Sequence, residues 1–181
     1  MNAKKFDMGL AILLEQTARA IYEKRAPTDI HPGQWSALRY FARAGRRART
    51  VAGLANYLGV TRGPASRAAS ALTKRGFLSS SENKDDRRSP IFTLTKMGRE
   101  VLRDDPIKRL ARVISKMEEG RKTVLIDSLN ALYAGLSSSG DTEPDGPPAP
   151  GAFLDADFST RLATASSRMA SSGANRKQSP P

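Results

Sequence analysis

The chain has 181 residues, with 30 Lys or Arg against 18 Asp or Glu, one His, and a formal charge of +12. That length allows one domain with an appendage, and so basic a balance implies a polyanionic partner. Cysteine is absent, which excludes disulfides, thiolate metal sites and a cysteine redox switch.

The N-terminal stretch MNAKKFDMGLAILLEQTARA is interrupted by Asp7, Glu15 and Gln16. It does not read as a signal peptide, and no window approaches a membrane span, so the expected location is the cytoplasm. Residues 6–25 have Leu10, Leu13, Leu14, Thr17, Ala18 and Ile21 on one helical face. Pro27 and the run IHPG mark a loop, and Pro32 opens a second helix that buries Trp35, Leu38 and either Phe41 or Ala42. AGRRART then forms a basic connection.

Residues 50–76 carry the strongest local pattern. Val51, Leu54, Ala55 and Leu58 recur as one buried helical stripe. Gly59 supplies the positive φ that follows a helix end. Thr61 suits an N-cap, and Pro64 falls in the first turn of the next helix, where its missing N–H does no harm. That helix buries Ala65, Ala68 or Ala69, and Leu72. Arg62, Ser66, Arg67, Ser70 and Lys74 are left on its other face. Two helices joined by a short turn containing Gly make a helix-turn-helix, whose second helix enters a DNA major groove.

Phe77 and Leu78, then Ile91, Phe92 and Leu94, read as two short strands, a wing over residues 77–94. The loop between them carries Lys84, Arg87 and Arg88, with no core to fill. It suits an arm along a phosphate row or an arginine slid into a narrow minor groove. Residues 42–88 hold eleven Lys or Arg against three acids, a local charge of +8. Arg62 and Arg67 can each pair both donors with guanine, while Ser66 and Ser70 suit bases or phosphates. Asp86 can brace Arg88; Arg87 and Lys84 suit phosphates.

Thr95 caps a helix with Met97, Val101 and Leu102. At Asp104-Asp105-Pro106 the proline ring disfavours helical backbone in the residue before it. The spacing predicts a break there, and a new helix capped by Asp105 through Ile107, Leu110, Val113, Ile114 and Met117. A last stripe contains Leu125, Leu129, Leu132, Tyr133 and Leu136. From Ser137 onward, Ser, Gly and Pro make up 19 of 45 residues at a net charge of −1. Residues 137–181 therefore read as a disordered tail.

Taken together, AGLANYLGVTRGPASRAASALTKRGFL, DDRRS and LTKMGREVL at these separations resemble the MarR family of bacterial transcription regulators, over about residues 6–136. The resemblance implies a mainly α, winged helix-turn-helix domain over residues 1–136. Its helices at about 6–25 and 96–136 would interlock two subunits into a homodimer. It also implies a repressor of transcription, bound to a semi-palindromic double-stranded operator on the nucleoid and released by a small aromatic or acidic effector. Arg88 matches the family position that enters the minor groove. His31, with Trp35 and Arg39, borders the region where similar proteins take ligands. From the residues alone His31 is equally a loop histidine, Trp35 a core residue and Arg39 a surface charge.

Enzyme chemistry is not supported: one His, no Cys, no phosphate-cradling glycine loop and no metal-ligand spacing leave no catalytic or metal site and no cofactor. Two further readings stay open: an architectural DNA binder without a ligand, and an RNA-binding winged helix. The lack of stacking aromatics near the basic face weighs against the latter.

Overall fold

Apolar residues at helical spacing form the elements, and the same residues then close the core. The computed structural model describes residues 3–23, 30–84, 86 and 88–138. In order they form α1 (Ala3–Ala20), α2 (Pro32–Arg43), a 3-10 turn (Arg46–Ala48), α3 (Val51–Leu58) and α4 (Arg62–Lys74). The hairpin β1 (Leu78–Ser81) and β2 (Ile91–Leu94) follows, then α5 (Lys96–Val101), a second 3-10 turn (Leu102–Asp104), α6 (Ile107–Ser115) and α7 (Glu119–Ser138). The fold is therefore mainly helical with one antiparallel hairpin, as the spacing predicts. Its register pairs Leu78 with Leu94 and Ser81 with Ile91.

The core joins α2, α3, α4 and the hairpin. Phe41, Leu38, Leu54 and Leu72 are fully buried, with Trp35, Ala65, Ala69, Phe77, Leu78, Phe92 and Leu94 around them. Each large apolar side chain removed from water contributes roughly 1.5–3 kcal/mol. The Phe41 ring meets Tyr40 edge-on at 5.2 Å and Phe92 at 5.5 Å. Of the paired alternatives, Phe41 and Ala69 face inward, while Ala42 is exposed and Ala68 half-buried.

Thr50 caps α3 by accepting a hydrogen bond from the Gly53 N–H at 3.1 Å. Gly59 ends that helix at φ 63°, a left-handed conformation that glycine adopts without a Cβ penalty. Thr61 occupies the N-cap position of α4, but its side chain makes no cap bond. The expected tail begins too early, because α7 runs to Ser138; residues 139–181 lie outside the described residues.

The break at Pro106 is present. Asp105 has φ −56° and ψ 121°, the extended backbone that a following proline favours, and its carboxylate accepts from the Ile107 N–H at 3.0 Å to start α6. The same oxygen accepts from Arg39 Nη1 at 2.8 Å. Arg39 Nη2 also donates to the Tyr22 hydroxyl at 3.1 Å and to Ser36 Oγ at 3.0 Å. One guanidinium thus ties α2 to the segment after α1 and to the start of α6. Burial opposes its charge, but Tyr22 and Asp105 outweigh burial and hold its pKa above the ordinary arginine value.

Candidate nucleic-acid interface

Helix α4 supplies the first surface. Its Ala65, Ala69 and Leu72 side is sealed against the core. Arg62, Ser66, Arg67, Ser70 and Lys74 are all exposed. At about 100° per residue, Arg67 and Lys74 lie opposite the midpoint of the buried side, Ser66 and Ser70 beside them, and Arg62 at the margin. Such an array of donors on a convex helix presents hydrogen bonds and positive charge outward, with no concave pocket for a small substrate.

The hairpin supplies the second. Lys84, Asp86 and Arg88 are exposed; Arg87 lies outside the described residues. Asp86 Oδ1 accepts from the backbone N–H of Arg88 at 3.0 Å, and the Ser89 N–H donates to the Asp86 carbonyl at 3.0 Å. Asp86 therefore braces the turn that carries Arg88 through its backbone, where the residue types suggest a bond to the guanidinium. The loop also has a buried member that its charge conceals, because Asn83 is only 9% exposed.

Both surfaces are fixed to one scaffold. Thr95 Oγ1 donates to the Gly76 carbonyl at 2.6 Å and accepts from the Gly98 N–H at 3.0 Å, joining the end of α4 to α5 across the base of the hairpin. Arg75 lies over the Phe77 ring at 5.0 Å. At the other end, the Phe92 N–H donates to the Arg49 carbonyl at 2.8 Å, linking β2 to the segment before α3.

The residues considered for a small ligand follow one another a turn apart along α2, and two of them also serve the fold. Trp35 is buried in the core, and Arg39 is engaged by Asp105, Tyr22 and Ser36. His31 is exposed at the N-cap of α2, where its N–H donates to Gln34 Oε1 at 3.2 Å. Beside it an open cavity of about 690 Å³ is bounded by Glu15, Ala18, Arg19, Tyr22, Glu23 and Pro32. Arg19 there is paired with Glu15 at 2.6 Å. Among the described residues, no group of three or more His, Asp or Glu is placed to hold a metal ion. No helix there is long and apolar enough to cross a membrane.

Comparison with known proteins shows what this chain is similar to. The family model described as MarR family matches residues 28–89, from the approach to α2 through the hairpin loop. No curated protein matches. Among solved structures, Streptococcus pneumoniae FabT in complex with DNA is 21% identical with a TM-score of 0.63, over 77% of this chain and 100% of that one. The MepR–DNA complex of S. aureus is 16% identical, TM-score 0.61, over 72% and 97%. PcaV from Streptomyces coelicolor, solved with its natural ligand, is 21% identical, TM-score 0.58, over 70% and 91%. At these identities the structures attest the fold, a winged helix-turn-helix extended by terminal helices. Within that fold, residues 28–89 of this chain are the part similar to the MarR family model.

Proposed function

We propose that this chain is a homodimeric, sequence-specific transcription regulator that binds double-stranded DNA, with α4 in the major groove and the hairpin arm at the adjacent minor groove. The observation that carries this reading is the sorting of α4. Arg62, Ser66, Arg67, Ser70 and Lys74 are all exposed, and every fully buried position is alanine or leucine. FabT and MepR, solved on DNA, share the fold. Arg62, Ser66, Arg67 and Ser70 read or flank base edges. Lys74, Lys84 and Arg87 neutralise phosphates, and Arg88 enters the minor groove from the turn that Asp86 holds.

What one copy leaves uncovered supports dimerisation. Leu10, Leu13 and Leu14 of α1 are 51%, 58% and 45% exposed, and Leu132 and Leu136 of α7 are 51% and 78% exposed. A second copy would cover these apolar faces and set two α4 helices on half-sites about one helical turn apart, roughly 10 base pairs. Repression relieved by a small molecule is the regulatory mode we favour, since PcaV carries a ligand on this fold. The cavity beside His31 would take an aromatic, weakly charged effector, with Trp35 and Arg39 acting behind it.

Selection of bound duplexes from a random pool tests the reading, followed by salt titrations on selected and scrambled duplexes. Arg67→Ala should weaken the selected duplex by about 1–3 kcal/mol and barely change the scrambled one. Arg88→Ala should weaken both and flatten the slope of log affinity against log salt by about one unit per subunit. A pool that yields no common sequence would indicate an architectural binder.

A further inference from the structure

The basic connection before α3 is built as a rigid shelf, and Arg49 is one of its fastenings. Arg49 donates from Nε to the Ala44 carbonyl at 2.8 Å, closing the end of α2, while its own carbonyl accepts from Phe92 of the hairpin. The Tyr40 hydroxyl donates to the Ala48 carbonyl, and the Thr50 N–H donates to that same oxygen at 2.7 Å. Gly53 of α3 packs so closely beneath that a Cβ there would run into both the Tyr40 hydroxyl and the Ala48 carbonyl. Three elements thus clamp a single 3-10 turn, Arg46–Ala48, and the turn leaves Arg46 and Arg47 exposed to solvent.

The position of this turn gives it a partner. In a helix-turn-helix the first helix crosses the DNA backbone while the second enters the groove. Here α3 is the first helix, and the turn leads directly into its N-terminus, where the helix dipole favours anions. We infer that Arg46 and Arg47 form a phosphate clamp on the DNA backbone, separate from the α4 face and the hairpin arm and indifferent to base sequence. The inference rests on the DNA-binding reading above. A plainer role for basic residues after α2 is to offset its C-terminal dipole, but Arg49 already serves the Ala44 carbonyl there.

The test uses the full chain and measures affinity for selected and scrambled duplexes from about 50 to 200 mM salt. If each arginine neutralises one phosphate in each of two subunits, Arg46→Ala and Arg47→Ala should each flatten the log–log slope by about 1.8. Each should narrow the affinity change across that salt range by about tenfold, equally on both duplexes. Arg46→Lys should restore most of the slope, because an ammonium also serves a phosphate. Thermal midpoints should stay at the wild-type value, as both side chains are exposed. An unchanged slope in both variants overturns the clamp while leaving the Arg67 and Arg88 results standing. So does a loss confined to the selected duplex, which would mean base contact, or a drop in melting temperature at constant slope, which would mean the dipole role. If the wild-type chain binds neither duplex, the function and the clamp fall together.

Discussion

Residues 30–94 and the helices on either side of them are built from comparably apolar sequence but end in opposite states. The first region buries most of its large apolar side chains against one another, whereas α1, α6 and α7 have none that is fully buried. Leu54 has no exposed surface, while Leu13 keeps 58% of its surface in water. A stripe at helical spacing says that a helix has one wet face and one dry face. It does not say whether the dry face meets the same chain or another copy. On the reading proposed above, the winged helix would be the folding unit and the terminal helices half of an interface between two copies.

The most drastic way to separate the two regions is to end the chain before Glu119. Without α7 the protein should sediment as a monomer and lose a thousandfold or more in operator affinity, the gap between specific and non-specific binding. The hairpin and α2–α4 should keep their NMR dispersion. If the truncated chain unfolds, the winged helix is not self-sufficient.

A smaller effect sharpens the contrast within the core. Phe41→Ala empties the centre of the lobe and should cost about 3–5 kcal/mol at any protein concentration. Leu13→Ala should instead lower the melting temperature by an amount that grows from nothing to a plateau as concentration rises through the dissociation constant, since it acts through association. Calorimetry over a wide range of concentration distinguishes them.

The joint between the regions is the Arg39–Asp105 pair, whose side chains are 14% and 4% exposed. Arg39→Met leaves a buried carboxylate without its counter-charge. A loss of about 3 kcal/mol is expected, the low end for a broken buried pair, because Asp105 keeps the Ile107 N–H. Hydrogen exchange should show α6 losing protection before α3 and α4. Uniform loss across the chain would contradict the joint.

The mildest change is Tyr40→Phe, which removes the bond to Ala48 and should cost about 1 kcal/mol. Burial pushes the Tyr40 phenol from 10.0 up to about 12. Well below pH 10.0 both folded and unfolded states keep it neutral. Between pH 10.0 and about 12 the unfolded chain ionises first, so wild-type stability falls over that window. The Tyr40→Phe variant should show a shallower fall in urea titrations. Identical slopes would mean that Tyr40 is not the group responsible.

Local rules make much of this architecture legible in residue order alone. Gly59, Pro64 and Pro106 act within a few residues of themselves, so the helix-turn-helix and the break ahead of α6 are written in their immediate neighbours. The exposed set on α4 follows from the same periodicity. What residue order hides depends on distant partners. Arg39 meets a carboxylate 66 positions away, so by local pattern it reads as a spare surface charge or a ligand contact. The Tyr40–Ala48 contact, the tight approach at Gly53 and the burial of Asn83 have no periodic trace. Proximity in the chain pairs Asp86 with Arg88 correctly, but the choice between a backbone N–H and a guanidinium depends on turn geometry that residue types do not encode.

Sedimentation velocity of the full chain at micromolar concentration, alone and with a selected duplex, tests most directly whether the terminal helices pair two DNA-reading lobes. The expected result is a dimer in isolation and two copies on one duplex, with half-sites about one helical turn apart. A monomer that binds the same duplex one to one at full affinity would contradict it.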